Sequence, residues 1–314
     1  MMVYLDFEKP IAALEARILE LQDAARDSDV DVGAELAKLR DKADKQLADT
    51  YANLTAWQKT QVARHPERPH FKHFVAAMFE DFIPLAGDRA FGDDQAIIGG
   101  LARLNGRRVM VIGHEKGDDT QSRLRHNFGM GKPEGYRKAI RLMELADRFG
   151  IAVVSLVDTS GAFPGIQAEE RGQAEAIARS TEKCLSLGVP MIACIVGEGG
   201  SGGAVALAAA DRVLMFQYAV YSVISPEGCA SILWRTGDKA AEAAQAMKMT
   251  ADDLKALRII DRIVKEPVGG AHRDHMMAAA SLGKAIDEEL EALSAFTSKE
   301  LRQQRRSKFL SMGA

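Results

Sequence analysis

Glycine is crowded into one short stretch of this sequence. Met191 to Val196 is an apolar run of strand length that breaks off into Gly197-Glu-Gly-Gly-Ser-Gly-Gly203, and Ala204 to Ala210 then follows as a block of small, helix-favouring residues. The order predicts a strand, a glycine turn and a tightly packed buried helix. Such a turn aims free backbone N–H groups and the positive end of a helix at whatever lies in front of it, which suits an anion.

Several chemistries fit those letters. Gly197-x-Gly199-x-x-Gly202 satisfies a dinucleotide-binding spacing, but that use needs an acid at the end of the next strand to hold a ribose, and Val213 to Phe216 ends in Gln217. Gly199-x-Ser201-x-Gly203 satisfies a nucleophile elbow, with Ser201 as nucleophile of a serine hydrolase and His272 or His275 in the required chain order. Neither histidine lies in a segment that reads as a catalytic loop. The third chemistry needs no side chain, only the amides of Gly202 and Gly203 as an oxyanion hole. The same glycines also fit a turn that merely lets helix and strand pack closely.

The elements around this stretch must position it. Ile151 to Val157 reads as a second buried strand, ending in Asp158-Thr-Ser-Gly-Ala-Phe-Pro-Gly165, a first glycine loop. A helix from about Glu169 to Leu187 connects it to Met191, so a right-handed crossover brings both loops to the same ends of two strands, facing one site. Upstream, Asn105-Gly106 between Ala96 to Leu104 and Arg107 to Gly113 predicts a hairpin, and Glu134 to Arg148 a helix. Phe71 to Phe82 reads as helical and Lys116 to Arg125 as an exposed loop. Arg64-His-Pro-Glu-Arg-Pro69 reads as a proline-punctuated link. Before it, Ile11, Leu14, Ile18 and Leu21 mark one helix, Asp27 to Gly33 a break, and Ala34 to Ala63 a second helix. This hairpin is either a cap on the core or a docking arm for another subunit. Two charged helices close the chain from Arg273. Their cluster Arg302, Arg305, Arg306 and Lys308 reads as a solvated face or, more sharply, as a contact for ligand phosphates.

Composition sets the bounds. The 314 residues, 47% of them hydrophobic, can fill a large core. A formal charge of −3 argues against a nucleic-acid partner. Cys184, Cys194 and Cys229 form no metal-ligand spacing and read as reduced thiols of a cytoplasmic protein, with no metal indicated. No apolar run reaches the length of a membrane span, and Met1 to Pro10 lacks the pattern of an export signal.

Six ordered motifs then point to a family. Gly87-Asp-Arg89; Asn127-Phe-Gly-Met130 with Pro133-Glu-Gly-Tyr-Arg-Lys138; Asp158-Thr159 with Gly161-Ala162 and Pro164-Gly165; Ala168 to Gln173; Gly197 to Gly203; and Tyr221 to Gly228 resemble the alpha subunits of bacterial acetyl-coenzyme A carboxylase carboxyltransferase. Ser160, His126 and Gly131 depart from residues common in that family. The resemblance implies an α/β, crotonase-like (ClpP/crotonase) spiral of strand-strand-helix units over residues 65–272, with an N-terminal helical hairpin over 1–64 and C-terminal helices over 273–314. It implies transfer of a carboxyl group from carboxybiotin, carried on a separate biotin carboxyl carrier protein, to acetyl-CoA, giving malonyl-CoA for fatty-acid synthesis, with no cofactor bound covalently to this chain. It also implies an active site shared with a homologous beta subunit in an α2β2 assembly that works with a biotin carboxylase. On that reading Gly202 and Gly203 stabilise the biotin-side oxyanion, and Gly161, Ala162, Gly199, Gly200 and Ser201 line the carboxybiotin side.

Overall fold

The computed structural model describes residues 3–26 and 32–313. Helices α1 (Lys9–Arg26) and α2 (Gly33–Ala52) pack against each other as the expected hairpin; residues 27–31 of the expected break lie outside the described residues. The single helix expected to Ala63 is instead two, because Thr55 starts a new one, α3 (Ala56–Ala63). The Thr55 hydroxyl accepts the Gln58 N–H and the Gln58 side chain accepts the Thr55 N–H, a capping box that Thr-x-x-Gln spells out.

Helix α4 (Phe71–Met78) stops short of the expected Phe82, because β1 (Glu80–Pro84) leaves it to pair antiparallel with β2 (Ile97–Leu104). Asn105 and Gly106, with φ of 47° and 77°, then turn β2 into β3 (Arg107–His114) as the two-residue loop requires. The expected loop after β3 contains a short helix, α5 (Thr120–Arg125), started by the Asp119 carboxylate accepting the N–H groups of Gln121 and Ser122. Next come α6 (Pro133–Phe149) and β4 (Ala152–Thr159). The crossover helix is split by Gly172, at φ 82°, into α7 (Ile166–Glu170) and α8 (Gln173–Ser186). The chain continues through β5 (Met191–Gly200), α9 (Ser201–Ala208), β6 (Arg212–Phe216), β7 (Val220–Ser222), α10 (Pro226–Trp234), α11 (Ala240–Ala246), α12 (Ala251–Ala256), β8 (Arg262–Val264), α13 (His275–Ser294) and α14 (Ser298–Leu310).

The strands form one sheet in the order β1-β2-β3-β4-β5-β6-β8, antiparallel up to β3 and parallel beyond it, with β7 joining β5 off this path. Helices cover both faces. Gly99 faces Leu142 of α6, whereas Gly113, next along β3 from Gly99's partner Ile112, faces Phe71 of α4. Successive strand residues point to opposite faces, so α6 and α4 lie on opposite sides. Strands buried on both faces read as unbroken apolar runs, as Ala152–Val157 and Met191–Val196 do. One hydrophobic core extends from Phe71 through Leu282, Ile286 and Leu290 of α13 to Leu301 of α14.

The C-terminal basic cluster is divided: Arg302 and Arg306 are exposed, as a solvated face requires, but Arg305 and Lys308 turn inward. The Arg305 guanidinium is buried, bonds Asp211 through two nitrogens at 2.9 and 2.6 Å, and donates to the carbonyls of Cys184, Leu187 and Val189. Arg302 donates to the Ser186 carbonyl and Lys308 pairs with Asp261, leaving Arg306 exposed. These groups sew α14 onto the far ends of α8 and β6. Arg305→Met would strand Asp211 and the carbonyls of Cys184, Leu185, Leu187 and Val189 in the interior, so it should cost about 3–5 kcal/mol in urea unfolding. Arg306→Met, on the exposed side of the same helix, should change stability by less than about 0.5 kcal/mol.

Candidate active site

Strand β5 does not end where its apolar run ends. It pairs with β4 up to Val157 opposite Ile195, then the register shifts, and Thr159 pairs with Gly199. Asp158 alone therefore stands opposite Val196, Gly197 and Glu198, a bulge that bends β5. Before the bulge β5 pairs with β6 through Ile192–Ile195; beyond it, Glu198–Gly200 pairs with Val220–Ser222 of β7. The glycines expected in a turn are thus largely strand, in a second short ladder of Thr159, Glu198–Gly200 and β7.

Charged side chains meet the bulge from both sides. The Asp158 carboxylate accepts the Glu198 N–H at 3.0 Å and lies 2.7 Å from Lys116 Nζ and 3.3 Å from His70 Nδ1. Burial works to raise its pKa, but the Lys116 ammonium and the His70 ring outweigh burial and hold it well below the usual carboxylate range. Arg68 Nε donates to the Val196 carbonyl at 2.7 Å, and its other nitrogens bond both oxygens of Glu266 at 2.9 Å. Arg64 holds the Glu198 carboxylate at 2.6 and 3.0 Å and reaches Glu227 of α10 at 2.6 Å. The segment that reads as a proline-punctuated link is therefore a clamp on the second loop. Its signal in sequence is two arginines four apart, too common a pattern to single out.

The two glycine loops touch backbone to backbone. A Cβ on Gly200 would overlap the Ser160 carbonyl, and one on Gly203 would lie 2.7 Å from the Gly161 carbonyl carbon and 2.8 Å from the Ala162 nitrogen. Gly199 packs against the Tyr221 ring. Gly202 is different: its nearest neighbour would be the Ile177 side chain at 3.3 Å, and it is half-buried. The fold thus brings Gly161, Ala162, Gly199, Gly200, Ser201, Gly202 and Gly203 together. Helix α9 starts here with no side-chain cap on its N–H groups, Gly200 standing at the cap position. Ser201, exposed at its head, holds a left-handed φ of 53°, a strained conformation for a residue with a Cβ.

No histidine hydrogen-bonds Ser201 among the described residues. His272 is buried, stacked on His65 with ring centroids 3.8 Å apart, and burial followed by the neighbouring His65 and Arg68 pushes its pKa down to about 2. His275 meets the Glu67 carbonyl. Glu8, His65 and His272 do bring ligand atoms within 4.8 Å of one another. However, His65 spends one nitrogen on the Glu67 N–H and the other on the Val3 carbonyl, while Glu8 is held by Tyr51, Arg273 and the Leu5 N–H. Among the departures from the family pattern, His126 is buried against the Gln95 carbonyl, and the Gly131 carbonyl is bonded by Gln173 and the Phe163 N–H. Asn127, Phe128 and Gly129 are successive left-handed residues, with φ of 46°, 55° and 79°. They leave Phe128 exposed beside Lys116, His70 and Ser160 around a cavity of about 230 Å³.

The contrast between neighbouring glycines is testable by thermal denaturation. Gly203→Ala must push apart two backbones and should lose about 1–3 kcal/mol. Gly202→Ala meets only a side chain that can shift, and should stay within about 1 kcal/mol of the parent.

Comparison with known proteins bears on what such a site serves. The family model described as acetyl co-enzyme A carboxylase carboxyltransferase-like matches residues 4–313. The acetyl-coenzyme A carboxylase carboxyl transferase subunit alpha of Rhizorhabdus wittichii is 73% identical over 313 residues, covering all of both chains. That of Zymomonas mobilis is 67% identical, also end to end. Among solved structures, transcarboxylase 12S with methylmalonyl-coenzyme A bound superposes with a TM-score of 0.60 at 21% identity, over 73% of this chain and 42% of that one. A subunit of a Pseudomonas malonate decarboxylase hetero-tetramer in complex with coenzyme A gives 0.56 at 17% identity, over 68% of this chain and 86% of that one. These structures show the fold, which is crotonase-like. Because the family match runs nearly end to end and close relatives align along their whole lengths, this chain belongs to the acetyl-coenzyme A carboxylase carboxyltransferase family.

Proposed function

We propose that this chain is the alpha half of a carboxyltransferase that moves a carboxyl group from carboxybiotin, presented by a separate biotin carboxyl carrier protein, to acetyl-CoA, forming malonyl-CoA for fatty-acid synthesis. The observation that carries the reading is the uncapped start of α9, which lies backbone to backbone against the first glycine loop, with no histidine hydrogen-bonded to Ser201 among the described residues. Loss of the carboxyl group leaves negative charge on the ureido oxygen. The Gly202 and Gly203 amides at the positive end of α9 would stabilise that charge without a titratable side chain. The ureido anion is basic enough to take the methyl proton of acetyl-CoA, so the chemistry does not require a side-chain base here. Gly161, Ala162, Gly199, Gly200 and Ser201 form the wall against which the biotin ring would lie.

A second subunit completes this reading. The chain spans under half the length of the transcarboxylase 12S chain, yet most of one subunit of the malonate decarboxylase hetero-tetramer. The segments next to the glycine loops also carry exposed Ile166, Val223, Ile232 and Leu233. A homologous beta subunit would cover that surface and bring the acyl-CoA, in an α2β2 enzyme served by a biotin carboxylase. No helix among the described residues is long and apolar enough to cross a membrane, which is compatible with work in the cytoplasm.

The reverse reaction tests this. Malonyl-CoA and free biocytin should yield acetyl-CoA only when this chain is mixed with its beta subunit. Ser201→Ala should keep most of the rate, within about threefold, since the hydroxyl has no assigned step. A demonstrable complex that stays silent would remove the assignment, and loss of all activity in a folded Ser201→Ala protein would favour a serine nucleophile instead.

A further inference from the structure

The bulge in β5 poses a problem of its own. A strand that leaves one ladder for another frees backbone groups in the interior, and a buried unpaired group costs about 1–3 kcal/mol. Here two are met by charged side chains from outside the strand: Arg68 takes the Val196 carbonyl, and Asp158 takes the Glu198 N–H. Asp158 does more than accept one bond. A Cβ on Gly197 would overlap its carboxylate, so it presses directly on the bulged backbone. It is itself the last β4 residue before Thr159, whose hydroxyl accepts the Gly161 N–H of the first loop at 3.1 Å. One carboxylate is thus covalently tied to the first loop and hydrogen-bonded to the second, with Lys116 of the β3 end supplying its counter-charge and His70 at the cap of α4 a ring nitrogen 3.3 Å away.

We propose that Asp158, held by Lys116, is a positioning residue for the oxyanion site: it sets the bulge that aims the end of β5, and with it the first amides of α9, against the first loop. The side chain touches no substrate in this scheme. It acts through the strand, two residues of which separate Glu198 from Ser201. Loss of its charge leaves the Lys116 ammonium uncompensated against the bulge and lets the second loop drift. Misplacement of a reacting geometry by about 1 Å can cost about 100-fold in rate.

The inference rests on the carboxyltransferase reading, so its test uses the assembled enzyme with the beta subunit and the malonyl-CoA-to-biocytin assay. Asp158→Asn keeps the shape and can still accept the Glu198 N–H. It should lower kcat about 10- to 100-fold while leaving KM for malonyl-CoA within about twofold, because binding of the acyl-CoA does not depend on the aim of α9. Lys116→Met should give the same split, and Lys116→Arg should recover most of the lost kcat. A purely structural role would instead lower the melting temperature while leaving kcat, measured well below it, at the wild-type value; that outcome overturns the proposal. If Asp158→Asn fails to assemble, the Lys116 pair decides: recovery by Arg supports the proposal, and equal rates for Met and Arg overturn it. A silent wild-type mixture would count against the carboxyltransferase reading itself, whereas an active wild type with unaffected variants counts against Asp158 alone.

Discussion

A buried strand cannot change partners without exposing backbone groups to an interior that has no water to pair them, and the architecture of this protein follows from how β5 meets that constraint. It leaves β6 at Ile195 and joins β7 at Glu198. The three residues Val196 to Glu198 are held by Arg68 from one side and Asp158 from the other. Each of those charges is itself answered, Arg68 by Glu266 and Asp158 by Lys116. Buried ion pairs contribute little net stability compared with apolar packing, but breaking one is costly, so they discriminate strongly between one arrangement and its near alternatives. Here the arrangement selected is the one that carries the glycine loops.

The same logic explains why the N-terminal segment is more than a cap. Arg64 and Arg68 lie on the exit from α3, and both reach β5, one at the Glu198 carboxylate and one at the Val196 carbonyl. Tyr51 of α2 meets Tyr218, just before β7, in an edge-on pair with ring centroids 5.4 Å apart. The helical hairpin is thereby attached to the strand switch itself. At the other end of the parallel strands, Arg305 fastens α14 to Asp211 and to the carbonyls that end α8. Both terminal regions brace the strands that carry the site.

The proposed site, built from backbone amides, would place unusual demands on packing. Side chains can adjust their rotamers to a small error in the scaffold, whereas an amide points where the backbone points. The close approach of Gly200 and Gly203 to Ser160–Ala162 leaves no room for a Cβ, so the separation of the loops is set by contact between main chains. The strained φ at Ser201 falls at the same place, where the surrounding packing over-determines the backbone. Chemistry that stabilises charge without transferring a proton to a side chain suits such a rigid, uncapped helix end.

Much of this was legible from residue order. Asn105-Gly106 names its own hairpin, because few other residues tolerate two consecutive left-handed positions. The apolar runs before Asp158 and Gly197 name two buried parallel strands, and the glycine density after Val196 marks a place where backbones meet. The ordered motifs carry the family. Local patterns also held information that a coarse reading passes over, such as the Thr55 capping box that divides one long helix into two and the Gly172 break between α7 and α8. What residue order could not show is which distant groups converge. Arg64, Arg68, His70 and Lys116 are spread over some fifty residues and reach Asp158, Val196 and Glu198 only after β3, β4 and β5 align. A basic run near the C-terminus looks the same in sequence whether it faces water or, like Arg305, a buried aspartate. The sequence by itself determined the β2–β3 hairpin, the apolar runs of β4, β5 and β6, the places of the glycine loops and the family, because periodicity and backbone sterics are local. Only the tertiary structure decided where β5 changes partners and which charges hold it there, because the cost of an unpaired buried group depends on everything packed around it.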